Sequence, residues 1–254
     1  MPNIDENLAF APATELRELI AEKQVSPVEI TQLYLDRIDR LDPQLNSYLT
    51  VTSEIAMDAA RKAEQAVTDG DELGPLHGLP ISIKDLETTK GIRSTAGCYV
   101  YRDRVPDFDS IVVERLRGAG AIILGKTNLS QWANFRSNSS MSGWSALGGQ
   151  VRNPHMLDRN PCGSSSGSGA AAAASLAAGT VGTETNGSII CPSNVNGVVG
   201  FKPTVGLVSQ DFIIPISSSQ DTAGPMTKTV MGAAMMLNAM ATGAAKTDYA
   251  ATLD

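Results

Sequence analysis

From residue 26 onward, apolar positions recur with a helical period. Val28, Ile30, Leu33, Ile38 and Leu41 fall at roughly helical spacing. Ser26-Pro27-Val28-Glu29 predicts where this helix starts, with a capping Ser, a Pro at the first helical position and a Glu that completes a capping box. Asp42-Pro43 predicts its end. A second helix is predicted from about Ser53 to Val67, ended by Asp69-Gly70. Both have polar faces and read as scaffold.

Further on, the period changes. Pro80–Lys84 alternates, with Ile81 and Ile83 on one face and Ser82 and Lys84 on the other, which predicts a strand. Ile111 to Arg117 reads as a helix closing at Gly118 or Gly120, followed by an apolar strand over 121–124. From residue 168 an Ala-rich helix is expected to Ala178, then strands near Thr180–Thr183 and Val198–Lys202. A last helix is expected from Thr229 to about Ala241, before a polar tail. Helix–strand alternation of this kind predicts an α/β layered domain. No internal repeat is visible, and the Ser/Gly stretch 163–169 lies between structured signals, unlike a linker.

Composition narrows the class. With 254 residues and 42% hydrophobic content, the chain can build one substantial core, and 23 Gly against 5% aromatics implies close backbone packing. A net charge of −7 argues against nucleic acid as a partner. No apolar run approaches a membrane span, and the first ten residues lack the pattern of a leader, so a cytoplasmic location is expected, with a mature exported form whose leader has been removed as the alternative. Cys98, Cys162 and Cys191 read as too few and too scattered for a disulfide framework or a metal site. With only His77 and His155 besides, neither a metal nor a cofactor is expected.

Three features carry candidate chemistry. Cys162-Gly-Ser-Ser-Ser-Gly-Ser-Gly169 runs directly into Ala170–Ala174, so it offers hydroxyls and free N–H groups at a helix start. It fits an anion or oxyanion site and, equally, a plain cap; the Gly-Lys-Ser/Thr ending of a P-loop is absent. Gly182-Thr-Glu-Thr-Asn-Gly-Ser188 follows an apolar strand. A Ser on such a turn is either a nucleophile beside converging N–H donors or the cap of the next element. Lys84 ends an otherwise apolar strand, where burial would favour its neutral, basic form. A Ser–His–Asp triad would need His77 or His155, and the G-x-S-x-G elbow is missing.

Together these residues resemble the amidase signature family. The likeness runs from Gly163-Ser164-Ser165 through the Ala-rich helix and Gly182–Ser188 to Cys191-Pro192, and Gly78-Leu-Pro-Ile-Ser-Ile-Lys84-Asp85 resembles the segment that bears the family's lysine. Gly125-Lys-Thr-Asn-Leu129, Gly200-Phe-Lys-Pro-Thr204 and Gln220-Asp-Thr-Ala-Gly-Pro225 resemble three further blocks. The resemblance implies a single domain over 1–254, with a helical scaffold to about residue 75 and a catalytic core from about 76. Its core would be a mixed sheet flanked by helices on both faces. It implies Ser188 as nucleophile, Ser164 as relay after a cis bond from Gly163, and Lys84 as base. The N–H groups of Thr185, Asn186, Gly187 and Ser188 would form the oxyanion hole, and Ser165 would orient the network. The expected pH response is a loss on acidification, without the steep drop near neutrality that a His base gives.

Many members carry Asp-x-Gly-Gly-Ser-Ile-Arg at the nucleophile turn, where this chain has Glu184, Asn186 and Ile190 in place of the Asp, the first Gly and the Arg. Glu184, Cys191, 128–135 and Ser142-Gly-Trp144 look most like the peptide amidase branch, which implies a small amide or peptide amide as substrate. The alternatives are the amidase component of a tRNA-dependent amidotransferase and a non-catalytic scaffold chain. Members of the family are longer than this sequence, so it is expected to be incomplete at its C-terminus or to assemble with a second chain.

Overall fold

The structure is a computed structural model and describes residues 5–242. After a 3-10 turn at Glu6–Phe10 come helices α1 (Ala13–Ala21) and α2 (Pro27–Leu45), strand β1 (Tyr48–Val51) and helix α3 (Ser53–Asp69). Next are β2 (Pro80–Lys84), α4 (Ile111–Gly118), β3 (Ile122–Thr127) and a two-residue hairpin, β4 (Trp144–Ser145) with β5 (Gly149–Gln150). The chain continues through α5 (Ser166–Ala173), β6 (Gly179–Glu184), α6 (Ile190–Asn196), β7 (Val199–Gly200), β8 (Thr222–Thr227) and α7 (Val230–Met240).

The capping box forms as expected: Ser26 Oγ accepts from Val28 N–H at 2.9 Å, and Glu29 accepts from Ser26 N–H at 3.0 Å. Asp42-Pro43 does not stop α2. Pro43 sits in its last turn, where one missing N–H is tolerated, and Asn46 at φ 54° ends it. Helix α3 buries Ala56, Ala60, Ala63 and Val67 as one stripe, and Gly70 at φ 80° closes it.

Six strands form one mixed sheet in the order β1-β3-β2-β6-β8-β7. Strands β2, β3 and β6 run parallel, and β1, β8 and β7 each pair antiparallel with a neighbour. Helices cover both faces. On one face, Thr180 Oγ1 donates to Ser168 O of α5 at 3.0 Å; on the other, a Cβ at Gly179 would lie 2.5 Å from Met236 Sδ of α7. The sheet confirms the α/β expectation and the helices on both faces. The Ala-rich helix is shorter than expected, ending at Ala173, because Ser175 turns left-handed at φ 54°. Likewise β7 is only two residues long, not the five expected, whereas β3 runs on to Thr127. The polar tail lies outside the described residues. Among those residues no helix is long and apolar enough to cross a membrane.

The cysteines, read as too few and too scattered for a disulfide framework, nevertheless form one bridge. Cys162 and Cys191 form a disulfide with Cα atoms 5.9 Å apart, and Cys98 is a buried free thiol. A separation of 29 residues gives no local signal, because the pairing is made by tertiary approach of the loop before Gly163 and the first turn of α6.

Candidate active site

Parallel strands β2 and β6 end at the same edge of the sheet, the usual location of ligand crevices in open α/β sheets. Strand β2 delivers Lys84 there, and β6 runs straight into the turn Thr185–Ser188. Helix α5 lies against these strand ends and is made wholly of Ser, Gly and Ala. Small residues are required: a Cβ at Gly167 would come within 2.4 Å of Asn128 O, and one at Gly182 would meet Ser165 Oγ at 2.7 Å.

Lys84 is fully buried, yet its ammonium nitrogen is surrounded by oxygen. Nζ lies 2.8 Å from Ser164 Oγ, 3.0 Å from Ser165 Oγ, 2.9 Å from Thr183 Oγ1 and 3.2 Å from Thr183 O. Burial pushes its pKa down to about 7, opposed by the charges of Glu87, Glu184 and Asp221. The Gly163–Ser164 peptide is cis. Ser164 O accepts from Ser130 N–H at 3.0 Å, and Ser165 N–H donates to Ser188 O at 3.1 Å, so the relay and nucleophile segments touch directly. Ser165 Oγ also accepts from Thr183 N–H and donates to Thr183 O, both at 3.1 Å. Ser188, Asn186, Thr185 and Gly163 line an open cleft of about 480 Å³ with Phe135, Ile216 and Gln220.

One expected donor is already taken. Gly187 N–H donates to the Glu184 carboxylate at 2.7 Å, so it is not free to hold an oxyanion. The same carboxylate accepts from Ile189 N–H at 2.7 Å and Ile190 N–H at 2.9 Å, clamping the turn on both sides of Ser188. The N–H groups of Thr185, Asn186 and Ser188 have no partner among the described residues. His77 and His155 lie elsewhere, their Nε2 atoms on Ala63 O and Asn196 O, each at 2.9 Å.

Several supporting residues escaped the sequence reading. Lys202 donates to Thr185 O at 2.7 Å and lies 3.9 Å from Glu184. Asp221 accepts from Thr185 Oγ1 and, through its other oxygen, from Ile216 and Ser217 N–H at 2.7 and 2.9 Å, so one carboxylate ties two walls of the cleft. Behind Lys84, the buried Lys126 lies 3.6 Å from Asp85 and donates to Thr89 and Ser94. Burial raises the Asp85 carboxyl and lowers the Lys126 ammonium, each opposed by the other's charge. Glu87 is also buried, with neither carboxyl oxygen hydrogen-bonded, and burial lifts it to about 8. Asp85, Lys126, Lys202 and Asp221 lie within the family-like blocks around Lys84, Gly125, Gly200 and Gln220, and Glu87 lies outside them.

The sequence profile of the family described as Amidase matches residues 29–253. The glutamyl-tRNA(Gln) amidotransferase of Cutibacterium acnes has a subunit that is 44% identical over 229 residues, which make up 90% of this chain and 45% of that protein. Among solved structures, native peptide amidase from Stenotrophomonas maltophilia superimposes with a TM-score of 0.92 at 46% identity, over 98% of this chain and 54% of that one. An amidase family protein from Bacillus anthracis matches with a TM-score of 0.88 at 40% identity, over 94% and 48% of the two chains. The likeness to peptide amidases, expected from Glu184, Cys191 and the 128–135 segment, is borne out. The chain spans about half the length of these relatives. With the family profile running over nearly the whole sequence, the chain belongs to the amidase family.

Proposed function

We propose that this chain provides the catalytic residues of a serine amidase, which hydrolyses a carboxamide C–N bond through an acyl-enzyme. The observation that carries this reading is a buried Lys84, poised near neutrality, with Nζ 2.8 Å from Ser164 Oγ beside a cleft lined by Ser188. In this reading Ser188 Oγ attacks the amide carbon, its proton passing to Ser164 Oγ while the Ser164 proton passes to the neutral Lys84 amine. The N–H groups of Thr185, Asn186 and Ser188 hold the developing oxyanion. When the tetrahedral intermediate collapses, the C–N bond breaks and the proton returns from Lys84 through Ser164 to the departing amine. Water then attacks the ester by the same path, and Ser188 is restored. No metal or cofactor enters the scheme.

Peptides ending in a carboxamide are the substrate class we favour. Support comes from the 46% identity to a peptide amidase and from a cleft in which Phe135 and Ile216 stand beside the amide side chains of Asn186 and Gln220. A second reading, the amidase component of a tRNA-dependent amidotransferase, is favoured by the 44% identity to a chain of such an enzyme. Either reading admits a second chain that completes the length of the relatives. The two are separated by incubating the chain with a peptide amide and assaying ammonia without tRNA or ATP. Ammonia release, with a fluorophosphonate adduct mapped to Ser188, supports the peptide amidase reading. Release only with tRNA, ATP and a partner supports the second, and an adduct mapped away from Ser188 overturns the nucleophile assignment.

A further inference from the structure

The disulfide lies where the chemistry is. Cys162 immediately precedes Gly163, which lines the cleft, and stands two residues before Ser164. Cys191 stands three residues after Ser188, in the first turn of α6, and its N–H donates to Gly187 O at 2.7 Å. The bridge therefore links the segment that carries the relay to the segment that carries the nucleophile. Cys162 is held in the left-handed region at φ 59°, uncommon for a residue with a side chain, so the backbone next to Gly163 is not in a relaxed state. Noncovalent contacts also join the two segments: Ser165 N–H donates to Ser188 O at 3.1 Å, Ser165 Oγ bonds Thr183 N–H and O, and Asn196 Nδ2 donates to Pro161 O at 2.9 Å. The cystine is the covalent tie between them. Both cysteines are partly exposed, within reach of a small thiol, whereas Cys98 is buried.

We propose that the Cys162–Cys191 cystine is a positioning pair: it fixes the backbone of Ser164 relative to that of Ser188, and its reduction slows acylation of Ser188 without unfolding the chain. The inference rests on the reading of Ser188 as nucleophile. Reduction by a dithiol proceeds by thiol–disulfide exchange. Two electrons pass to the cystine, the dithiol closes to a cyclic disulfide, and Cys162 and Cys191 end as thiols carrying its two protons. Once the bridge is broken, Cys162 is held by its N–H bond to Asn160 Oδ1 at 2.7 Å and by Ser166 Oγ on its carbonyl at 2.6 Å, without a covalent tie to α6. The Gly163–Ser164 segment is then free to shift relative to the nucleophile turn. A displacement of about 1 Å at reacting groups costs on the order of a hundredfold in rate.

The test uses the full chain and a fluorophosphonate probe, with the adduct mapped by mass spectrometry. The maximal labelling rate and the probe concentration at half that rate are measured for oxidised protein, dithiothreitol-reduced protein and C162S/C191S. Circular dichroism confirms that each is folded, and C98A serves as a control that keeps the cystine. The expected result is a maximal rate at Ser188 roughly 10- to 100-fold lower in the reduced and double-variant proteins. Half-saturation should change little, and reoxidation should restore the rate in the wild type alone. A purely structural bond would instead lower the labelled fraction and leave the rate of the folded remainder unchanged. Equal rates at Ser188 in folded oxidised and reduced protein overturn the positioning role alone. If the double variant does not fold, the dithiothreitol arm decides the question by itself. An adduct on another residue in oxidised protein overturns the nucleophile assignment, and this inference with it.

Discussion

Lys84 Nζ and Ser164 Oγ lie 2.8 Å apart in a fully buried pocket, a hydrogen bond between an amine short of solvent and a hydroxyl with an open cleft beyond it. Substitutions along this line are expected to rank in order. Ser188→Ala should lower amide turnover by roughly 10⁴-fold or more, and Lys84→Ala by nearly as much, because groups acting as a unit fail together. Ser164→Ala should cost roughly 10²- to 10⁴-fold, less if water enters its place. Steady-state ammonia release checks the order; near-native turnover by Lys84→Ala would remove the lysine from the mechanism.

The pH response follows from the same burial. Lys84 acts as a base only when neutral, and it loses its proton near pH 7. Turnover is therefore expected to rise through neutrality to a plateau and to fall about tenfold per pH unit well below it. This revises the expectation from sequence, which had no steep loss near neutrality. A limb at that position resembles a histidine's, but His77 and His155 are bonded to carbonyls away from Ser188. H77Q and H155Q should both keep the limb in a rate–pH profile. If either loses it, the lysine is not the titrating group.

Glu184 is expected to matter twice. Its three N–H contacts fix the Ser188 turn, and its charge, with that of Asp221, supports the protonated form of Lys84, whereas Glu87, lifted to about 8, is mostly uncharged near neutrality. Glu184→Gln should lower turnover by roughly 10- to 100-fold by loosening that turn. It should also move the acidic limb to lower pH, since a charge that holds the proton on Lys84 is gone. A lower rate with an unmoved limb would leave Glu184 only the first of these roles.

A single methyl group at position 182 is expected to be felt at Lys84. The Cβ of Gly182→Ala would meet Ser165 Oγ at 2.7 Å and Met226 Sδ at 2.9 Å. Forcing such atoms apart costs about 1–3 kcal/mol, or a melting temperature lower by roughly 2–4 °C per kcal/mol in a chain of this size. Because Ser165 also holds Lys84, turnover should fall further than the stability loss explains. Thermal melts and turnover at the same temperature check this; unchanged stability would mean that α5 can yield.

The legible parts of the chain were those with local chemistry. The capping box of α2, the Asp69-Gly70 stop of α3 and the alternation in β2 each state their outcome within a few residues. Lys84, Ser164 and Ser188 were legible through the likeness of the blocks around them, and the structure brings those blocks to one edge of the sheet. Strand β8 was not legible as a strand, because Ala223-Gly-Pro225 reads as a turn. Its place beside β6 is imposed by the sheet, where Val181 pairs with Pro225. Helix α6 was missed for a related reason: Pro192 lies in its first turn, where a proline is harmless but resembles a break. Gly187 is expected in the oxyanion hole from the likeness of its turn, and that Glu184, three residues before it, takes its N–H depends on a side-chain conformation the sequence does not state. The roles of Asp221 and Lys202 depend on contacts 36 and 17 residues away along the chain, beyond any sequence pattern.

The cystine also makes the protein's behaviour depend on where it is made. Thiol pools of the cytosol keep bonds of this kind reduced, whereas exported proteins retain them. A chain held in a reducing cell would carry three thiols, and the same sequence in an oxidising space would carry one, Cys98. The cytoplasmic location expected from the sequence is therefore the setting in which this bridge would not last. One polypeptide would then have two kinetic identities, a slow form in reducing surroundings and a fast one outside them.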